Sequence, residues 1–397
     1  MHMLILILLL IWSLILKKLI VYLMVLLLIG CTKVVKPPSN DLNDENPPAD
    51  EKPVEPEDKS LFHEYKKAAI ETLDEMTAEE KAGQLFLVRC PAAEQLELYL
   101  SMKPGGFILF GRDFAGKTKE QVINDIDYYR DSSKIPLIIA VDEEGGTVVR
   151  ISSNPLLAEE RFKSPQELYA IGGFEEIKKD TLIKSEYLLH LGINLNLAPV
   201  ADVSVNETDF IYQRAFGKPA SETAEYVKTV VAAMKDSGIS SVLKHFPGYG
   251  NNADTHMGSA YDTRPYEQFV NNDFIPFIAG IKSGAESILI SHNVIEAIDN
   301  VPASLSKNII DILRNDMEFT GIMITDDLSM GAITEPESDL PPEIMALLAG
   351  NDMLIVSDFE SSFKTLLNAV KNGDISMERI DESVLRILQW KYYMNLI

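Results

Sequence analysis

Between residues 84 and 356 the chain repeats one unit eight times, a short β-branched or leucine-rich run followed by a longer stretch of mixed polarity. The runs cover residues 84–88, 106–110, 136–141, 193–203, 239–243, 287–290, 321–325 and 353–356. The intervening stretches, such as 221–236, 266–281 and 307–317, place apolar side chains at helical spacing, and Gly238 and Gly284 stand where such helices should stop. Thr77 and Glu80 have capping-box spacing just before the first run, and residues 376–394 read as one closing helix. Strands that are apolar on both faces belong in a parallel sheet covered by helices. Eight alternations predict a single (β/α)8 barrel, for which about 250 residues plus insertions is typical. The competing arrangement is a doubly wound open sheet, but no Gly-x-Gly-x-x-Gly phosphate turn supports it.

The residues ahead of this repeat have a different character. Residues 1–30 are almost wholly apolar, with Lys17-Lys18 preceding an apolar stretch of secretory-signal length. Leu28-Ile29-Gly30-Cys31 resembles the lipobox of bacterial lipoproteins, which would make Cys31 the lipidated first residue of the mature chain. An uncleaved membrane-spanning helix is the alternative, since the apolar stretch is long enough to cross a hydrocarbon core of ~30 Å. Either way the chain is expected to be membrane-tethered and outside the cytoplasm. Residues 31–60 then hold six prolines among Asn, Asp, Glu and Lys, which predicts a solvated tether, with the folded domain spanning 61–397. Cys90 is the one cysteine of that domain, so no disulfide can form within it.

A formal charge of −24 with no basic cluster beyond Lys17-Lys18 excludes a nucleic-acid partner. The charged residues that matter stand at the ends of the apolar runs. Asp142 closes the third, Asp202 lies late in the fourth, Lys244-His245 follows the fifth, Ser291-His292 the sixth, Asp326-Asp327 the seventh and Asp358 the eighth. In a barrel these ends converge at the C-terminal mouth, where chemistry gathers. Carboxylates that accept from hydroxyls, with Lys and Arg that donate to them, suit a polyhydroxylated substrate. Any single carboxylate here has a plainer use as a helix cap, Asp358 and Asp202 above all. After Lys244-His245 come Pro247, Gly248 and Gly250, which shape a loop delivering Asp254 and His256. At that spacing a carboxylate can hold an imidazole by one ring nitrogen and leave the other for proton transfer. A metal site is the competing use of these side chains, but no His-x-His or His-Glu-x-x-His pair is present.

Asp142-Glu143-Glu144-Gly145-Gly146 with Arg150, Arg214-Ala215-Phe216-Gly217, Lys244-His245-Phe246-Pro247-Gly248 with Asp254-Thr255-His256, and Thr325-Asp326-Asp327 resemble the signature segments of glycoside hydrolase family 3, specifically its β-N-acetylglucosaminidase branch. The resemblance implies a retaining hydrolase in which Asp326 is the nucleophile and His256, held by Asp254, is the acid/base. It also implies that Asp142, Arg150, Arg214, Lys244 and His245 grip a terminal N-acetylglucosamine, with Lys244 and His245 donating to its hydroxyls. Glu144 would then pack or cap behind its turn, and Asp327 would support Asp326. No cofactor or metal is implied, because nucleophile and proton shuttle are both side chains.

The chain departs from the family pattern at Tyr249, where a histidine is usual, and by one residue fewer between Gly250 and Asp254. Asn251 and Asn252, which tolerate left-handed backbone, are expected to let the shorter loop turn. The chain ends about forty residues past the eighth run, so a second domain found in many family members is not expected. The resulting expectation is an exo-acting, lipid-anchored β-N-acetylglucosaminidase that cuts muropeptides during cell-wall turnover. Another family 3 β-glycosidase or a glycosyl phosphorylase is the enzymatic alternative, and a sugar-binding lipoprotein on a degenerate barrel is the non-enzymatic one.

Overall fold

The computed structural model describes residues 58–252, 260–330, 333 and 340–397, all within one compact unit running from Asp58 to Ile397. The leader, Cys31 and nearly all of the tether lie outside the described residues, as do Asp254 and His256. No helix among the described residues is long and apolar enough to cross a membrane.

Eight parallel strands close into a barrel in chain order: β1 (Phe86–Arg89), β2 (Gly106–Leu109), β3 (Ile138–Val141), β4 (Leu195–Asn196), β5 (Ser240–Phe246), β6 (Ser287–Ile290), β7 (Ile322–Asp327) and β8 (Met353–Val356). Closure is through β1 and β8, with Phe86 opposite Leu354 and Val88 opposite Val356. The strands are buried along nearly their whole length because side chains fill the barrel inside and helices cover it outside.

The fourth run is the one the barrel shortens. Of residues 193–203 only Leu195–Asn196 forms strand. Pro199 has no N–H to give the ladder, although β5 still donates to the carbonyls of Ala198 and Pro199 and the Val200–Lys244 bridge follows. Elsewhere the helical signals hold. Thr77 and Glu80 form the capping box of the helix Ala78–Gln84, and Gly238 ends the helix Ala220–Ser237 in a left-handed C-cap. The stretches 266–281 and 307–317 are helical with a π-type turn in each, at Phe269–Asp273 and Ile312–Asp316.

The helix Met377–Tyr393 closes the floor of the barrel. Trp390 Nε1 donates to Ser240 Oγ at the start of β5 (3.2 Å), and Lys391 Nζ donates to Gln84 Oε1 (2.7 Å) and to Pro136 O (2.9 Å). Burial alone pushes the Lys391 ammonium down to about 7. The C-terminal mouth lies at the opposite end of the strands.

Candidate active site

A cavity of about 340 Å³ opens at that mouth. Its lining alternates with strand parity. Arg89, Asp142, Lys244 and Asp326 stand near the C-terminal ends of the odd strands, and Ile108, Leu197, Leu289 and Ile355 lie in or just after the even ones. Layers contributed by alternate strands are how such barrels pack. One apolar layer therefore floors the cavity, and the charged layer around it faces whatever enters.

Most of the charge is already paired. Lys244 Nζ lies 2.7 Å from Asp142 Oδ1 and 2.6 Å from Glu144 Oε1, with its side chain only 3% exposed. Arg214 grips Glu144 through both oxygens, Nε at 3.1 Å and Nη2 at 2.8 Å. Burial would raise the Glu144 carboxyl, but Lys244 and Arg214 outweigh it and hold the group far below the usual carboxylate range. Glu144 thus stays ionised and has no proton to give a leaving group. Arg150 Nη2 reaches Asp142 Oδ2 at 3.5 Å.

Arg214 Nη2 also lies 3.0 Å from His245 Nε2, while His245 Nδ1 lies 2.8 Å from Asp202 Oδ2. A guanidinium can only donate, so Nε2 must accept and the ring proton sits on Nδ1, donating to Asp202. In this geometry His245 is bridged between Asp202 and Arg214 and orients that guanidinium. Asp202 accepts in addition from the backbone N–H groups of His245 (3.0 Å) and Tyr249 (2.7 Å), which fixes the turn after β5.

Several acids bind backbone N–H groups and hydroxyls of neighbouring loops. Glu143 is fully buried and accepts from the N–H groups of Arg150 and Ile151 at 2.8 Å each, and from Ser152, so it clasps the loop that presents Arg150. Asp327 accepts from Ser329 N (2.9 Å) and Ser357 Oγ (2.6 Å). Asp358 caps the helix Phe359–Asn372 through Ser361 N. His292 is buried between Ser304 Oγ (2.8 Å) and Asp327 O (3.0 Å). Asp326 lines the cavity at the end of β7, and its Oδ1 accepts from Asp327 N at 2.9 Å.

The loop after β5 turns on its glycines. Gly248 and Gly250 have φ of +119° and +53°, whereas neither Asn251 nor Asn252 is left-handed. A Cβ on Gly250 would come within 2.4 Å of Arg264 Nη1, so only glycine lets the loop lie on that guanidinium. Arg264 is in turn held by Asp262 and Asp273. Tyr249 is buried edge-on against the His245 ring, 5.2 Å between centroids.

A profile described as the glycosyl hydrolase family 3 N-terminal domain matches residues 77–390. The chain belongs to glycosyl hydrolase family 3. It is a glycoside hydrolase, and its relatives agree. A β-hexosaminidase of Hydrogenovibrio crunogenus is 31% identical over 286 residues, covering 69% of this chain and 78% of that protein. A β-hexosaminidase of Methylococcus capsulatus is 30% identical over 287 residues, covering 72% and 85%. The solved family 3 β-N-acetylglucosaminidase of Paenibacillus sp. str. FPU-7 superposes with a TM-score of 0.75 at 29% identity over 81% of this chain, and the chain spans 63% of that enzyme's length.

The family 3 barrel brings together Asp142, Arg150, Arg214, Lys244, His245 and Asp326, all of which line the one cavity. Two residues escape sequence reasoning. Arg89 also lines this cavity, and the signal was its position directly after the first apolar run. Arg264 underlies the β5 loop, two residues after Asp262, and nothing in local spacing marks it. Among the described residues of this family 3 chain, no group of three or more His, Cys, Asp or Glu is arranged to hold a metal ion.

Proposed function

We propose that this family 3 barrel is a retaining exo-β-N-acetylglucosaminidase that removes terminal N-acetylglucosamine from muropeptides and related cell-wall fragments. One observation carries the reading: Asp326 lines the cavity near the end of β7, together with Asp142, Arg150, Arg214, Lys244 and His245. The hexosaminidase names of relatives at about this chain's length support the sugar.

In this reading an Asp326 oxygen attacks the anomeric carbon as the bond to the leaving sugar breaks, and His256, held by Asp254, protonates the departing oxygen. His256 then takes a proton from water, which attacks the same carbon and frees Asp326. Two inversions give net retention. Asp142, set by Lys244 and Arg150, accepts from sugar hydroxyls, while Lys244, Arg150 and Arg214 form the cationic side of the grip. Because the ion pairs exist before substrate arrives, little reorganisation is needed at the moment of reaction. The leader further supports placing the barrel outside the cytoplasm on lipidated Cys31.

The test is a product profile on purified muropeptides, with and without phosphate. Release of free β-configured N-acetylglucosamine from non-reducing ends, unchanged by phosphate, is expected. A sugar phosphate would redirect the reading to phosphorolysis, and no released monosaccharide would sink it.

A further inference from the structure

We infer that Arg264 is a positioning residue for proton transfer, because it ties together the two ends of the segment that carries Asp254 and His256. The inference rests on the glycosidase reading, in which His256 is the acid/base, and deepens it by naming what sets that segment's anchorage.

The near end of the segment is the turn after β5. Arg264 Nη2 donates to Gly248 O at 3.4 Å, and Nη1 lies where a side chain on Gly250 would otherwise stand. The far end is Ala260–Asp262. Asp262 accepts from Arg264 Nη2 at 2.7 Å, from Nε at 2.9 Å and from the Arg264 backbone N–H at 3.0 Å. Tyr261 and Asp262 are themselves paired with Val294 and Ile295 in a short parallel ladder, so this end is fixed from behind. Residues 253–259 thus run between two posts that one guanidinium joins.

The guanidinium is in turn fixed to the barrel's helical layer. Asp273, fully buried in the π-type turn Phe269–Asp273, takes Nη1 through both oxygens at 3.0 Å. The Phe269 ring centroid lies 4.4 Å from the same group. A planar fork whose donors are committed in three directions has one favourable orientation, which a flexible ammonium cannot reproduce. A buried ion pair adds little net stability, so two buried acids on one arginine fit a device that sets geometry better than one that merely holds a turn. Geometry is what a general acid requires, since it transfers its proton only from hydrogen-bond distance. A displacement of about 1 Å at the anchors would cost about 10²-fold in that step.

The experiment measures kcat/KM, which reports formation of the glycosyl-enzyme, on two substrates. One is N,N′-diacetylchitobiose, whose leaving sugar needs a proton, and the other is a dinitrophenyl N-acetylglucosaminide, whose leaving group does not. Arg264→Lys keeps the charge and removes the fork. Gly250→Ala keeps both ion pairs and presses a Cβ against the guanidinium. Each is expected to lower kcat/KM on the disaccharide by roughly 10- to 100-fold and on the aryl glycoside by less than about threefold. A merely structural role lowers both in proportion to the folded fraction, so equal losses, or none, in Arg264→Lys overturn the inference. If Arg264→Lys does not fold, the same comparison in Gly250→Ala decides. His256→Ala, measured in parallel, separates the two failures. An unequal loss there beside equal losses in the Arg264 and Gly250 variants overturns the inference alone, and equal losses in His256→Ala overturn the acid/base reading with it.

Discussion

At the mouth of the barrel Lys244 sits within 2.7 Å of two carboxylates, and at the floor Lys391, equally buried, reaches only an amide and a carbonyl oxygen. The mouth pairs its charges around an open cavity. The floor seats a closing helix, and burial there lowers the pKa of its lysine. Asp352 shows the intermediate case. It is fully buried near the floor, where Arg314 and Arg386 together outweigh burial and hold its carboxyl low. The lesson is that burial by itself says little about function in this fold. What marks the site is paired charge beside an open volume, as expected when catalysis belongs to one end of a barrel and stability to the other.

The sharpest contrast between the ends should come from Asp326→Asn, which should lower kcat on an aryl N-acetylglucosaminide by about 10⁴-fold or more while leaving the thermal transition in place. His256→Ala should follow, with losses of about 10²- to 10⁴-fold on substrates with poor leaving groups and much smaller losses on activated aryl glycosides. Equal losses on both would count against its role as the acid. The two lysines can then be compared directly. Lys244→Met strands Asp142 and Glu144 and should cost about 3–5 kcal/mol in urea unfolding, with activity lost as well. Lys391→Met leaves two neutral acceptors unpaired and should cost about 1–3 kcal/mol, with activity retained in the folded fraction. Similar costs at both positions would dissolve the contrast.

Lys391 also predicts a pH dependence. Its ordinary value is 10.5 and the folded protein pushes it down to about 7, so between those values the unfolded chain holds a proton that the folded one does not. Stability should therefore rise with pH from 7 upward, and Lys391→Met should flatten that slope. The cleanest window is below pH 9, because burial lifts the Cys90 thiol from 9.0 to about 12 and opposes the trend above it. The smallest effect expected is from Asp358→Ala, a lost helix cap worth about 1 kcal/mol with near-normal turnover.

The alternation of runs and helices made the barrel legible, because strand burial on both faces leaves an unbroken apolar signal. Residues 193–203 mislead for a local reason: the run stays apolar past Asn196 although Pro199 has no N–H to donate to the ladder. The strand-end charges pointed to the mouth, yet their division of labour was hidden. Glu144 meets Arg214 across 70 positions, and Lys244 meets Asp142 across 102, so no window of sequence contains either pair. The direction of hydrogen bonding at His245 was likewise invisible, since it follows from Arg214 arriving on a separate loop. Arg89 was missed because the first run was read as ending at Val88.

Trapping the covalent intermediate tests the central claim most directly. With 5-fluoro-N-acetylglucosaminyl fluoride, which slows both steps by opposing positive charge on the ring, peptide mapping should find one sugar attached at Asp326. A label on another carboxylate such as Glu144, or turnover with inverted product and no label at all, would contradict the account.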